Sequence, residues 1–459
     1  MTTFLEPPAP SPTRPGRLVD HFEHGLDAPI CLTWELTYAC NLACTHCLSA
    51  SGKRDPRELS TAECKAVIDE LERMQVFYVN IGGGEPTIRP DFWELIDYAT
   101  SHHVGVKFST NGVKITPERA RQLAANDYVD VQISLDGATA EVNDHIRGGR
   151  SFDIAMQALQ NLSDTGMENF KISVVCTRTN IPQLDEFKAI ADHYGAQLRL
   201  TRLRPAGRAT DVWEELHPTA DQQKELYDWL VANGEDVLTG DSFFHLSAYG
   251  EALPGLNLCG AGRVVCLIDP VGDVYACPFA IHDSFRAGNI REPGGFQHVW
   301  RESDLFQQLR EPQLGGACRS CHFFDTCKGG CMAAKFFTGL PLDGPDPECV
   351  RGFGEQQLQE LKARDALNPQ KPSVDHSKSA TPTTPGQPGQ RGPDNRKKSG
   401  PVPLTLSIGS GPSAMPVSLC EESPVAGYVP PNAPEAVARR EERRRQRAER
   451  RAGRQPAQI

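Results

Sequence analysis

Apolar and polar positions follow two alternating periods between residues 30 and 205. Short apolar runs predict strands over 30–37, 76–81, 104–108, 129–135, 170–176 and 197–203. Between them, apolar residues recurring every three or four positions predict helices over 61–73, 91–101, 117–125, 152–162 and 182–194. Ser60 stands where an N-cap belongs, and Pro182 where the first turn of the last helix tolerates it. Six β/α steps at this spacing imply parallel strands joined by crossover helices, an α/β fold. Periodicity alone fits an incomplete six-step barrel of the TIM type and an open sheet equally well.

The pattern breaks down elsewhere. Residues 1–28 are Pro-rich and read as a disordered lead-in to a domain spanning 29–205. Residues 206–258 read as a helical connection, and 259–360 as a domain with few periodic elements and many Cys and Gly. Such a segment keeps its shape through metal ligation more readily than through an apolar core. Pro, Gly, Ser and Thr dominate most of 366–459, which reads as disordered. Its Glu/Arg/Ala-rich stretch, 434–451, reads as a solvated tail rather than a binding arm.

Charge narrows the function. The 459 residues hold 48 basic and 59 acidic side chains, a net −11. The 366–459 tail holds 15 basic and 8 acidic groups, a net +7, so residues 1–365 hold 33 and 51, a net −18. Nucleic acid is bound by Lys/Arg neutralisation of phosphates, so it is an unlikely match to this acidic body. No run approaches the ~20 apolar residues of a spanning helix, and no apolar stretch follows a basic start as in a secretory signal. The expectation is a cytoplasmic protein without membrane contact.

The 15 cysteines set the class. In a reducing compartment clustered thiols point to metal or redox chemistry rather than disulfides. Cys40, Cys44 and Cys47 follow the first strand, at the rim where α/β barrels build their active sites. Three thiolates hold three corners of an iron–sulfur cube and leave the fourth open, whereas structural zinc takes four ligands. Zinc completed by a remote ligand such as His46 is the rival reading. Eight more cysteines, Cys259, Cys266, Cys277, Cys318, Cys321, Cys327, Cys331 and Cys349, suffice for two four-thiolate sites. Spacing alone permits Cys318, Cys321, Cys327 and Cys331 as one local set, and two structural zincs as the occupants. Cys31, Cys64, Cys176 and Cys420 are left as ordinary thiols.

The Cys-x3-Cys-x2-Cys spacing resembles the signature of radical S-adenosylmethionine enzymes, which residues 30–205 match in order. The resemblance implies that Cys40, Cys44 and Cys47 bind a 4Fe–4S cluster whose open iron chelates S-adenosylmethionine. Its reductive cleavage gives a 5′-deoxyadenosyl radical that abstracts hydrogen from substrate. It further implies a cofactor cradle. Gly83, Gly84 and Glu85 would meet the methionyl ammonium, and Arg147 the carboxylate its planar fork suits. Ser109, Asn111, Ser134 and Asp136 would lie near the adenosyl group. As bare residues these segments read equally as tight turns, N-caps and a salt bridge. Arg202, Arg204 and Arg208 gather after the sixth strand without a role.

The later cysteines resemble the SPASM extension of that family, which bears two auxiliary 4Fe–4S clusters, three in all. It implies interleaved ligand sets: Cys259, Cys266, Cys277 and Cys331, then Cys318, Cys321, Cys327 and Cys349. Segments 34–55, 259–289 and 316–349 are similar to the mycofactocin maturase family. That implies a ribosomal precursor peptide as substrate, oxidative decarboxylation of its C-terminal Tyr, and then a Val–Tyr carbon–carbon bond. It also implies a reductant such as ferredoxin or flavodoxin. About 30 residues precede the first strand, too few for a leader-gripping winged helix, so a separate small recognition protein is expected. The rivals are another SPASM enzyme, thioether-forming or sulfatase-activating, and a non-catalytic iron–sulfur or zinc module.

Overall fold

Alternation within the strands decides which way the sheet faces. The computed structural model describes residues 25–367, apart from 235, 240–242, 251–252, 254–258 and 312–316. The expected disorder of residues 1–24 and 368–459, the 434–451 stretch and Cys420 lie outside the described residues. Six parallel strands run in order: β1 (Cys31–Thr37), β2 (Tyr78–Gly83), β3 (Gly105–Thr110), β4 (Val129–Ser134), β5 (Phe170–Cys176) and β6 (Gln197–Arg202). Leu32, Trp34, Val79, Ile81, Val106, Phe108, Val131, Ile133, Ile172, Leu198 and Leu200 turn to the helices and are buried in one apolar core. The intervening positions are polar: Glu35, Asn80, Lys107, Ser109, Asp130, Gln132, Lys171, Ser173 and Arg199. Side chains of a strand alternate between faces, so this second row lines the other side of the sheet.

The helices between these strands are α1 (Thr61–Arg73), α2 (Phe92–Ser101), α3 (Pro117–Ala124), α4 (Ala140–Arg147), α5 (Ser151–Asp164) and α6 (Leu184–Tyr194). Ser60 caps α1 in a reciprocal box with Glu63, as its position predicts. The short helix α4, capped by Thr139, falls in a stretch whose pattern predicts none.

The sheet is curled, not flat. Strands five places apart in a flat sheet lie ~24 Å apart. Yet Arg208, just beyond β6, donates to the carbonyls of Cys44 and Ser51 in the loop after β1, both at 2.8 Å. Among the described residues no ladder joins β6 to β1. A curled but unclosed sheet is a partial barrel, the alternative that periodicity left undecided.

Three expectations are corrected. The sheet does not end with β6. It gains β7 (Val237–Leu238) beside β6, and β8 (Val265–Ile268), β9 (Asp273–Tyr275) and β10 (Arg286–Asn289) beyond β1, ten strands in all. The helical connection holds α7 (Ala209–Leu216) and α8 (Ala220–Asn233) but also contributes β7. The lead-in is not loose to residue 28: Leu26 donates to the Arg263 carbonyl at 3.1 Å and accepts from the Trp300 indole at 2.9 Å. Strands of three or four residues escape periodicity analysis, and Leu26 is held by partners more than 200 positions away.

β8 lies parallel to β1, with Cys31 beside Val265 and Trp34 beside Ile268. A second tie is ionic. Arg202, ending β6, is buried with Asp346 at 2.5 and 2.9 Å and also pairs with Glu348. Asp346 in turn accepts from the Cys331 amide at 2.6 Å. Breaking a buried pair by removing one partner costs about 3–5 kcal/mol, because the other charge stays behind. Arg202→Met is therefore expected to lower unfolding free energy by that amount in denaturant titrations of the iron-loaded protein. A loss under 1 kcal/mol would show the network to be dispensable.

Candidate functional site

Residues 38–59, between β1 and α1, contain no helix or strand, so other loops must give them shape. Ala39 and Gly52 form an isolated bridge, and Cys40 donates its amide to Gly52. From the β2 side, Gly84 and Glu85 donate amides to the Thr37 and Ala39 carbonyls, both at 2.8 Å. A Cβ on Gly84 would overlap the Ala39 carbonyl, so only glycine fits there. A Cβ on Gly82, by contrast, meets open space.

Glu85 is buried, with three hydrogen bonds on Oε1 and one on Oε2. It accepts from the Thr87 amide and hydroxyl, the Thr110 hydroxyl at 2.7 Å and the Asn111 amide at 2.7 Å. Its carboxylate therefore braces β2 against β3. Asn111 donates its side-chain amide to Asn41 at 2.9 Å, reaching into the cysteine loop itself. Ser109 and Ser134 face the same interior, half-buried.

Asp136 is the next brace. Its Oδ2 lies 2.8 Å from His46 Nε2 and 2.6 Å from Arg147 Nε, and Oδ1 accepts from the Val175 amide at 2.8 Å. Burial alone would push this carboxyl up, but Arg147 and His46 hold it well below the usual carboxylate range. His46 turns its Nε2 to this carboxylate, while its Nδ1 has no hydrogen-bond partner among the described residues. Arg147 is not a surface salt bridge. It is enclosed, and its guanidinium interacts with the Cys44 and Cys47 thiols as well as Asp136. The Cys44 thiol reaches the Arg147 carbonyl at 3.8 Å.

The sixth strand closes the ring through Arg208, whose amide also donates to the Cys47 carbonyl at 3.0 Å. Gly207 before it has φ +58°, and a Cβ there would overlap the carbonyls of Cys47 and Leu48. Sequence reading saw Arg208 but gave it no task. The usable signal was the Gly-Arg pair placed where a crossover helix should begin.

Burial, and far less Glu85 and the neighbouring thiols, pushes Cys40 up to about 11, and burial raises Cys44; among the described residues no three Cys, His, Asp or Glu side chains stand close enough as placed to hold a metal ion. Thiols that gather in a half-buried loop beside two arginines fit a cluster, whose iron supplies the positive charge that releases their protons. The later cysteines form two neighbourhoods. Cys277, raised by burial, interacts with Cys331 and Cys259. Cys318, pushed up to about 11 by burial, interacts with Cys327, Cys349 and Cys321. Cys266, fully buried on β8, faces Cys31 first and Cys277 less strongly. Arg204 lays its guanidinium over Phe279, 3.6 Å from the ring centre, two residues beyond Cys277. No disulfide links the described cysteines.

The Asp136 brace generates a pH prediction. A carboxyl with a depressed folded value stabilises above its ordinary range near 4 and loses that only as pH falls through the depressed value. Asp136→Asn is expected to cost about 3 kcal/mol at pH 7 and nearly as much at pH 5 in parallel denaturation curves. Convergence of the two proteins by pH 5 would refute the assignment.

Known proteins can now be set beside this geometry. The radical SAM superfamily matches residues 34–192, and the SPASM iron–sulfur cluster-binding domain matches 259–322. "Mycofactocin maturase MftC" of Mycolicibacterium smegmatis is 68% identical over 411 residues, 89% of this chain and 98% of that protein. Its Mycobacterium tuberculosis H37Rv counterpart is 69% identical over the same shares. An "AdoMet-dependent heme synthase" of Oleidesulfovibrio alaskensis is 32% identical, covering 72% of this chain and 89% of its own. Among solved structures, Streptococcus suis SuiB bound to S-adenosylmethionine matches with TM-score 0.58 at 20% identity, over 71% of this chain and 78% of its own. The anSMEcpe structure with AdoMet and the Cp18Cys peptide matches with TM-score 0.54 at 18% identity, over 73% and 99%. These two share the fold. Both matched domain families support S-adenosylmethionine and 4Fe–4S clusters as cofactors. At 68–69% identity to curated maturases over 411 residues, nearly their whole length, the chain belongs to the mycofactocin maturase family, radical S-adenosylmethionine enzymes that modify a precursor peptide.

Proposed function

We propose that this enzyme acts on a small ribosomal precursor peptide ending in Val-Tyr, first by oxidative decarboxylation of the Tyr and then by joining Val and Tyr through a carbon–carbon bond. The observation that carries the reading is the thiol trio Cys40, Cys44 and Cys47 held at the barrel rim beside the enclosed Arg147. The kinship to the maturases supplies the substrate. When bound, a 4Fe–4S cluster and S-adenosylmethionine supply a 5′-deoxyadenosyl radical.

The chain's own residues bind and orient. Gly83 and Gly84 hold the second loop tight against the cysteine loop, which leaves the space beside Gly82 for the cofactor's amino acid moiety. Main-chain groups of 83–85 and the free edge of the Arg147 guanidinium would hold its charged ends. Ser109, Asn111 and Ser134 would face the adenosyl group, with Glu85 and Asp136 bracing the residues that touch it. Cys259, Cys266, Cys277 and Cys331 would hold one auxiliary cluster and Cys318, Cys321, Cys327 and Cys349 another. Among the described residues, no helix is long and apolar enough to cross a membrane. A cytoplasmic setting, a ferredoxin or flavodoxin as donor, and a separate recognition protein complete the reading.

Two measurements test it. Reconstituted protein with S-adenosylmethionine, reductant and a Val-Tyr precursor is expected to yield a product lighter by CO2 and two hydrogens. A loss of two hydrogens alone would move the enzyme to a different SPASM chemistry. Replacing Cys40, Cys44 and Cys47 by Ala is expected to abolish 5′-deoxyadenosine formation while leaving about two thirds of the iron. Unchanged iron in that variant would overturn the site.

A further inference from the structure

The inward row of the sheet carries two cations, Lys107 and Arg199, that no ion pair among the described residues neutralises. Lys107 on β3 stands beside Asn80 on β2 and Asp130 on β4. Asp130, however, is already paired with Lys171 on β5. Arg199 on β6 donates to the Ser173 hydroxyl at 3.3 Å and has no carboxylate partner. Among the described residues neither Lys107 nor Arg199 forms an ion pair. Lys107 senses Arg199, both sense Cys31 and Asp130, and strand alternation puts these two half-buried cations on the same inward face although their strands are three apart. Burial, followed by Arg199, pushes the Lys107 ammonium down to about 8. The other polar groups facing this space are the Tyr78 hydroxyl, the Asn80 amide bonded to Cys31, and Arg204 beyond β6.

Lys107, Lys171, Arg199 and Arg204 against the one carboxylate of Asp130 leave a surplus of positive charge here, in a body that is otherwise strongly acidic. Withdrawing cations even partly from water without a counter-charge is costly, so such a set marks a place where a negative group arrives. Lys107 lies two residues, ~7 Å, below the rim residue Thr110's neighbour Ser109, on the same face. A group reaching down from the rim would meet it.

We propose that Lys107 and Arg199, with Lys171 beside them, form an oxyanion subsite in the barrel interior that receives an anionic oxygen of the peptide's terminal residue. The proposal rests on the reading that the substrate ends at the reacting residue. A C-terminal Tyr offers two such oxygens, its carboxylate and its phenolate. Either would draw two charge-assisted contacts from Lys107 and Arg199 and would seat the residue with its remaining atoms toward the rim. The role is binding and positioning.

Anisotropy titrations of labelled precursor peptides against the iron-loaded protein with S-adenosylmethionine test it. The probes end in Val-Tyr free acid, Val-Tyr amide, Val-Phe free acid, or a scrambled C-terminus. Wild type is expected to bind the first at least tenfold tighter than the amide, if the carboxylate is held, or than the Phe peptide, if the phenol is held. Lys107→Met and Arg199→Met are expected to erase that difference by weakening only the Val-Tyr acid, while Lys107→Arg restores it. Iron content and denaturation midpoints identify variants that have not folded, and the Lys107→Arg result then decides. Discrimination that persists in both Met variants would overturn the subsite. So would wild-type preference for all three native-ending peptides equally over the scrambled one. Wild-type indifference to the scrambled peptide would instead overturn the C-terminal reading itself.

Discussion

The first thiol trio sits on a loop that cannot hold itself. Between β1 and α1 there is one bridge, Ala39 to Gly52, and otherwise irregular chain. What gives this loop a single shape is hydrogen bonding from four other strand ends: Glu85 after β2, Asn111 after β3, Asp136 after β4 and Arg208 after β6. Each tether ends on a different residue of the loop. Pre-set geometry matters in a metal site because ligands that must be gathered from a mobile chain lose affinity to ordering entropy. The barrel exists, in this sense, to bring those tethers round to one side.

Several residues with the chemistry of ligand binding turn out to be braces. Glu85 accepts from the loop after β3, and Asp136 pairs with His46 in the cysteine loop and with Arg147. This follows from burial. A carboxylate with no solvent access must be satisfied within the fold, and a partner on a neighbouring loop satisfies it while fixing that loop. Ligand contacts are left to main-chain groups and to the short hydroxyls of Ser109 and Ser134, which cost little to leave half-open.

Much of this was legible in the residues. The six parallel strands, the cap at Ser60, the glycine turn after β2 and the cysteine spacing are local signals, and each matches an element or loop of the structure. What was not legible depends on long-range contact. The short strands β8 to β10 have too few residues for a period, and α4 has only eight. The curl of the sheet shows only when Arg208 meets the loop after β1. The polar interior did leave a trace: VKFST, VDVQIS, FKISVVC and QLRLTR all alternate apolar with polar. Reading those runs simply as strands passed over Lys107 and Arg199, whose side chains occupy the polar beats.

The pairing of β8 with β1 places Leu32 beside Cys266, 234 positions later. On a growing chain, β1 can find β2 early, but its other edge has no partner until the segment around Cys266 has been made. At ribosomal speeds of 5–20 residues per second that edge stands open for roughly 10–50 s. An unpaired strand edge is a template for wrong pairing. For those tens of seconds the cell thus meets this protein as an unfinished sheet with its first thiols already present, and a chaperone or an iron–sulfur carrier has that interval in which to reach them.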